Sequence, residues 1–304
     1  MEFLIIFEQS ILPIFFLIGL AFIYQKKYQP NIKAISDLTL TILAPIMVFD
    51  NLYRQSVQVD VLIKPFMFMA LLMAALIGLS YLTALLLRLN TNERISLILG
   101  TSMINSGNFG IPLIIFTYGE GTLPYSVIYF VTFVFPILTL GILISSNQHS
   151  IKESVKDMLK MPLFHAFIAA MVFTTLKIPL PSFAEKSFGL LGQAAIPMML
   201  FILGLQLANI NLKKVNLKVL SSATIIRLIL SPLIAAPILI FVGITELEGK
   251  TALLQTSSPT AILTLMLAIK FNRSPDILAG IIFATTALSG ITLTLVIQIS
   301  DIFL

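Results

Sequence analysis

The chain has 304 residues, 58% of them hydrophobic and 11% charged, with a mean hydropathy of +1.00. A soluble globular domain is about 45–50% apolar and about 25% charged, so this composition excludes one and predicts an all-α polytopic membrane protein. The net charge of +5 is spread over short loops and gives no nucleic-acid signal, and the lack of cysteine excludes disulfides, thiolate metal sites and a cysteine nucleophile.

A bilayer-spanning helix needs about 20 mostly apolar residues, and ten stretches meet that measure: 3–24, 34–53, 62–87, 93–118, 123–145, 161–179, 186–208, 217–242, 249–271 and 275–299. The first, in "MEFLIIFEQSILPIFFLIGLAFIYQKK", shows no basic leader and no small-residue cleavage site, so it is expected as a retained helix. Its Glu8 reads either as a proton-coupling carboxylate or as an outer-edge residue. The second carries Pro45 in "LTILAPIMVFDNL" and Asp50 near its outer end; Glu120 lies just beyond the fourth. A polar linker, "SSNQHSIKESVKDMLK", falls at mid-chain. His149 within it and His165 in the sixth stretch make no metal-ligand spacing, and no metal site is expected.

Lys and Arg in the loops set orientation. Of the 19 cations, 13 fall in odd-numbered loops, including Lys26, Lys152, Lys213, Lys214 and Arg273, and five in even-numbered ones, from Arg54 to Lys250. That bias predicts both termini outside and the central loop in the cytoplasm, in a plasma membrane such as the bacterial inner membrane. The remaining cation, Arg227, lies about nine residues, or roughly 14 Å, into the eighth stretch. It would either pair with a substrate carboxylate or snorkel to the headgroups.

Five stretches per half mean that the second half enters the membrane from the opposite side, the sign of an inverted repeat over 1–150 and 151–304. A shift of 152 residues lays Pro45 on Pro197, and Gly107 on Pro259. The fourth stretch thus carries "NSGNFGIPL" where the ninth carries "LQTSSPTAILTL". Gly107 and Gly110 permit unusual backbone angles, Pro112 breaks the helical ladder, and Asn105 and Asn108 bring amides that donate and accept. In the ninth stretch Ser257, Ser258 and Thr260 surround Pro259, and Gln255 adds an amide. Each break alone is also what a proline kink with local polar satisfaction would give. Paired in equivalent positions, they point to a transporter binding site at which opposed helix ends suit a carboxylate.

The ten-segment pattern with "NSGNFGIP" in the fourth resembles the auxin efflux carrier family, whose bacterial members include malonate and malate carriers. Asn105, Gly107, Asn108, Gly110 and Pro112 all match that family's motif, and the proline-centred second and seventh segments are similar to it as well. The resemblance implies two inverted five-helix repeats with broken helices 4 and 9 crossing, a fold shared with the bile-acid sodium symporters. It implies a scaffold from helices 1, 2, 6 and 7 and a transport unit from helices 3–5 and 8–10. Leu263 stands where relatives often place an asparagine, and Phe271 where they tend to place a tyrosine.

The expected function is therefore a secondary active transporter of small organic anions, mono- or dicarboxylates, working by alternating access without a cofactor. The alternative is a sodium-coupled organic anion symporter; the coupling ion, H+ or Na+, is open. An enzyme is not expected, since Ser257 and Ser258 have no histidine or carboxylate near in sequence to activate them. A channel would need no paired breaks. Membrane lipid is the other partner, and a homodimer is a candidate assembly.

Overall fold

The computed structural model describes residues 2–55, 59–146, 151–210 and 215–303. His149, Lys213 and Lys214 lie outside the described residues. The described chain is all-helical, its main helices in order being α1 (Phe3–Tyr28), α2 (Ile32–Arg54), α3 (Ile63–Leu86), α4 (Thr91–Ser102), α5 (Ile111–Tyr118), α6 (Leu123–Ser145), α7 (Ile151–Leu159), α8 (Pro162–Thr175), α9 (Ser182–Ala208), α10 (Leu217–Val242), α11 (Glu246–Thr256), α12 (Leu263–Lys270) and α13 (Pro275–Phe303). Among the described residues seven helices are long and apolar enough to cross a membrane, namely α1, α2, α3, α6, α9, α10 and α13. An eighth crossing is added if Lys152–Leu159 and α8, bent by 70°, count as one. The fourth and ninth predicted stretches are each split, into α4 and α5 and into α11 and α12.

Proline shapes these helices in two ways. Four five-residue π turns, at Phe7–Ile11, Thr39–Leu43, Ser106–Gly110 and Ile226–Leu230, each end two residues before a proline: Pro13, Pro45, Pro112 and Pro232. A proline ring clashes with the carbonyl four residues back and removes one donor; widening the preceding turn relieves both. Pro197, by contrast, sits inside the uninterrupted α9. The residues that superpose under the half-chain shift, Pro45 and Pro197, therefore differ in local backbone. α10 stops where Gly243 takes the left-handed conformation (φ 73°), which only glycine adopts without cost.

Two apolar clusters form the interior. One joins residues of α2, α6, α8 and α9, including Met47, Phe135, Phe167 and Met199. The other joins α1, α3, α4 and α10–α13 with the remaining faces of α6 and α9. At the far end of α2, Asp50 accepts from Arg54 Nε at 2.8 Å, and Arg54 Nη2 reaches the Glu185 carbonyl of α9 at 2.7 Å. Asp50 is therefore a structural anion at a helix junction. Glu8, Glu120 and His165 are exposed.

α1 and α9 approach closely at Gly204, where an added Cβ would overlap the Ile18 carbonyl and stand 2.7 Å from Ala21 Cβ. Gly19, on α1, has open space around its Cα. Replacing Gly204 by Ala is expected to destabilise the protein by about 1–3 kcal/mol, while Gly19→Ala leaves the melting temperature unchanged or raised. Thermal melts in detergent followed by far-ultraviolet circular dichroism distinguish the pair; equal melting of both variants would contradict this packing.

Candidate functional site

Both breaks come from the same chemistry. "NSGNFG" and "TSSPT" put side chains that compete for backbone hydrogen bonds beside a proline or glycines, so the helical ladder stops within an apolar run. In hydrocarbon each freed N–H or C=O costs several kcal/mol, and here each break supplies partners for the other. Asn105 N donates to the Pro259 carbonyl and Ala261 N to the Met103 carbonyl, both at 2.9 Å, so that Ile104 and Thr260 form an isolated antiparallel bridge. Thr260 Oγ1 donates to the Gly100 carbonyl at 2.5 Å, and Thr260 N donates to Thr285 Oγ1 at 3.3 Å.

Gln255 fastens the second break to the first. Its Nε2 donates to the carbonyls of Ser106 and Ser126, each at 2.9 Å, and its Oε1 accepts from Ser126 Oγ at 2.9 Å. Gly110 faces this amide: a Cβ there would lie 2.8 Å from Gln255 Cγ and 3.3 Å from Ser258 Oγ. A Cβ on Gly107 would lie 2.5 Å from the Phe130 ring. Neither glycine has a positive φ. The sequence reading gave them conformational freedom; what the structure uses is their lack of a side chain, which lets two helices and the breaks approach.

A cavity of about 140 Å³ adjoins the first break. Asn105, Ser106, Gly107 and Asn108 form one wall and Ala261–Leu263 another, with Phe130 from α6, Ser36 from α2 and Gln206 from α9 closing it. Three polar atoms among these residues, Asn105 Nδ2, Ser36 Oγ and Gln206 Oε1, are buried without a hydrogen-bond partner. Buried polar atoms are paired, with protein or ordered water, in more than about nine cases in ten, so three orphans on residues bordering one void leave hydrogen-bonding capacity that water or a polar guest would meet.

The residues singled out from sequence divide accordingly. Asn105, Gly107 and Asn108 line the cavity; Gly110, Pro112, Ser257, Ser258, Pro259, Thr260 and Arg227 do not. Ser257 Oγ is spent on the Leu253 carbonyl at 2.7 Å, while Ser258 Oγ is buried and unpartnered. Arg227 neither snorkels nor faces the cavity. It is 0% exposed, and its guanidinium donates to the Thr101 carbonyl at 2.7 Å, to Ser231 Oγ at 2.5 Å and to the Thr256 carbonyl. Sequence reasoning missed Ser36 and Gln206. An amide inside the apolar "LFILGLQLA" was the available signal for Gln206.

A family model described as membrane transport protein matches residues 6–297. The chain belongs to this family, the auxin efflux carriers of the sequence reading. It is 26% identical over 273 residues to an uncharacterized transporter of Methanothermobacter thermautotrophicus, covering 88% of each chain. It is also 31% identical over 205 residues to an uncharacterized transporter of Methanocaldococcus jannaschii, covering 66% of each. As a member of a membrane transport family with several apolar spans, the protein is a multi-pass membrane transporter.

Within this transporter the Gln255 latch is open to a direct check. Gln255→Leu keeps the volume but removes the amide donor from the Ser106 and Ser126 carbonyls and the acceptor from the Ser126 hydroxyl, while the Ser106 carbonyl keeps its bond from Ile111 N, so the expected cost is about 1–3 kcal/mol. Unfolding followed by circular dichroism measures it, and a variant as stable as the parent would show that the latch carries no weight.

Proposed function

We propose that this transporter is a secondary carrier that moves small organic anions, mono- or dicarboxylates, by alternating access through the cavity beside the two breaks. The observation that carries the reading is the pairing of the two interrupted helices across the Ile104–Thr260 bridge, next to a void with three unpartnered polar atoms. At about 140 Å³ the void is well below the roughly 300–1,000 Å³ of drug-sized sites, so its guest has few heavy atoms. Among the described residues no Lys or Arg lines it. A carboxylate would instead be held by the Asn105 and Asn108 amides, the Ser36 hydroxyl and the positive end of α12, whose first residue, Leu263, lines the void.

In this reading the two broken segments complete ten crossings in two inverted halves, 1–150 and 151–304. Helices 1, 2, 6 and 7 of the sequence count form the scaffold, and the bundle holding both breaks moves against it. The cavity walls support that division, since Ser36, Met161, Leu163 and Gln206 come from the scaffold segments or the linker entering them, and the break residues come from the other bundle. Ser36 and Gln206 also lie near the ends of helices that run into lysine-bearing loops, which the positive-inside rule assigns to the cytoplasm. The described conformation is then inward-facing, in a plasma membrane, with both termini outside.

Proteoliposomes holding the purified protein are expected to take up labelled malonate, malate or a related carboxylate in a saturable manner. Asn105→Ala and Asn108→Ala should each lower uptake about tenfold or more, the loss of a hydrogen bond to a charged guest, with melting temperatures close to the parent. Saturable uptake of no carboxylate, or full uptake by both variants, would rule the reading out.

A further inference from the structure

Arg227 lies where the negative ends of two helices meet. Thr101 is the penultimate residue of α4 and Thr256 the last of α11, and the one guanidinium takes a carbonyl from each. Helix C-termini carry about half an elementary negative charge each, so a single fixed positive charge between two of them cancels the pair. Carriers built on broken helices ordinarily meet this need with a mobile cation, held by unwound carbonyls and half-helix C-termini. In this chain the carbonyl oxygens of Gly100, Thr101, Met103, Ser106, Thr256 and Pro259 all accept hydrogen bonds from other parts of the protein. A sodium ion coordinated by these six oxygens would have to share or displace their donors.

We propose that Arg227 is a fixed internal cation that takes the place of a coupling ion at the paired ends of α4 and α11, so that the carrier works without sodium. Arginine suits the role because its planar fork presents five donors in fixed directions and keeps its charge. Ser231, one turn along α10, accepts from the same Nη2 that donates to the Thr256 carbonyl. The consequence for transport rests on the carrier reading above; the role at the helix ends does not.

The test uses the full-length protein in detergent, and none of its stability arms depends on transport. The melting temperature of the parent is expected to be the same in sodium chloride and in choline chloride of equal strength. Arg227→Ala opens a guanidinium-sized hole beside two freed carbonyls and should lower the melting temperature by roughly 10 °C. Millimolar guanidinium, too dilute to denature, should restore at least half of that loss in the variant and leave the parent unmoved. Saturable stabilisation of the parent by sodium over choline would overturn the proposal. So would a folded Arg227→Ala that melts like the parent, or one that guanidinium does not rescue. If Arg227→Ala does not accumulate, Arg227→Lys keeps the charge and is expected to accumulate with a lowered, sodium-independent melting temperature. Sodium-dependent melting of that variant would count against the proposal, and if it too is absent the sodium arm on the parent decides. Finally, any carboxylate uptake found in proteoliposomes should be equal in sodium and choline. Absence of all uptake with the melting results intact would remove the carrier reading and leave Arg227 in its role.

Discussion

Backbone hydrogen bonding without water is the constraint on which this structure turns. Two apolar helices are interrupted, and an interruption in hydrocarbon strands amides and carbonyls that nothing in the lipid can satisfy. The protein satisfies them by bringing the two interruptions together. Main chain pairs with main chain at Ile104 and Thr260, the Gln255 amide spans from one break to the other, the Thr260 hydroxyl closes on Gly100, and Arg227 closes the remaining carbonyl ends. Gly107 and Gly110 leave room for the side chains packed on the first break, the Phe130 ring at one and Gln255 with Ser258 at the other. Each break is tolerable only in the presence of the other.

Against that economy the cavity stands out. Around the breaks most polar groups are paired within the protein, yet Asn105 Nδ2, Ser36 Oγ and Gln206 Oε1 remain unmet, and all three residues border one void. They come from three different helical segments, so no local rearrangement of one helix pairs them. Ser258 Oγ and Arg227 Nε are unpartnered as well, but their residues do not line the void, which is marked instead by the convergence of three residues on one space. Arg227, the deepest cation in the sequence, lies apart from the void, and its two Nη groups are engaged by the Thr101 and Thr256 carbonyls and by Ser231 Oγ.

Much of this was legible in the sequence. Proline, glycine and asparagine clustered within an apolar run is a local signal, and "NSGNFGIP" and "SSPT" mark both breaks to within a few residues. Their pairing was legible too, from equal spacing within the two halves. What could not be read was anything decided by approach in space. Arg227 looks the same in sequence whether it snorkels, binds a guest or caps two helices. Ser257 and Thr260 look like ligands until their hydroxyls are seen turned onto the Leu253 and Gly100 carbonyls. Ser36 and Gln206 became visible only when their helices framed the void. The π turns ahead of four prolines were hidden as well, since the same prolines could have been kinks, and Pro197 shows that proline need not widen the helix.

The central claim is that the two interruptions face each other directly. The hydrogen-bond pattern makes Ile104 and Thr260 a non-hydrogen-bonded antiparallel pair, whose Cα atoms stand about 4.5 Å apart, within the range a disulfide spans. The parent has no cysteine, so any bridge in a doubly substituted Ile104→Cys, Thr260→Cys protein can join only these positions. Mass spectrometry of the membrane-embedded variant after mild oxidation should find the two cysteine peptides linked in most molecules. Free thiols at both positions in a folded protein would mean that the breaks do not meet.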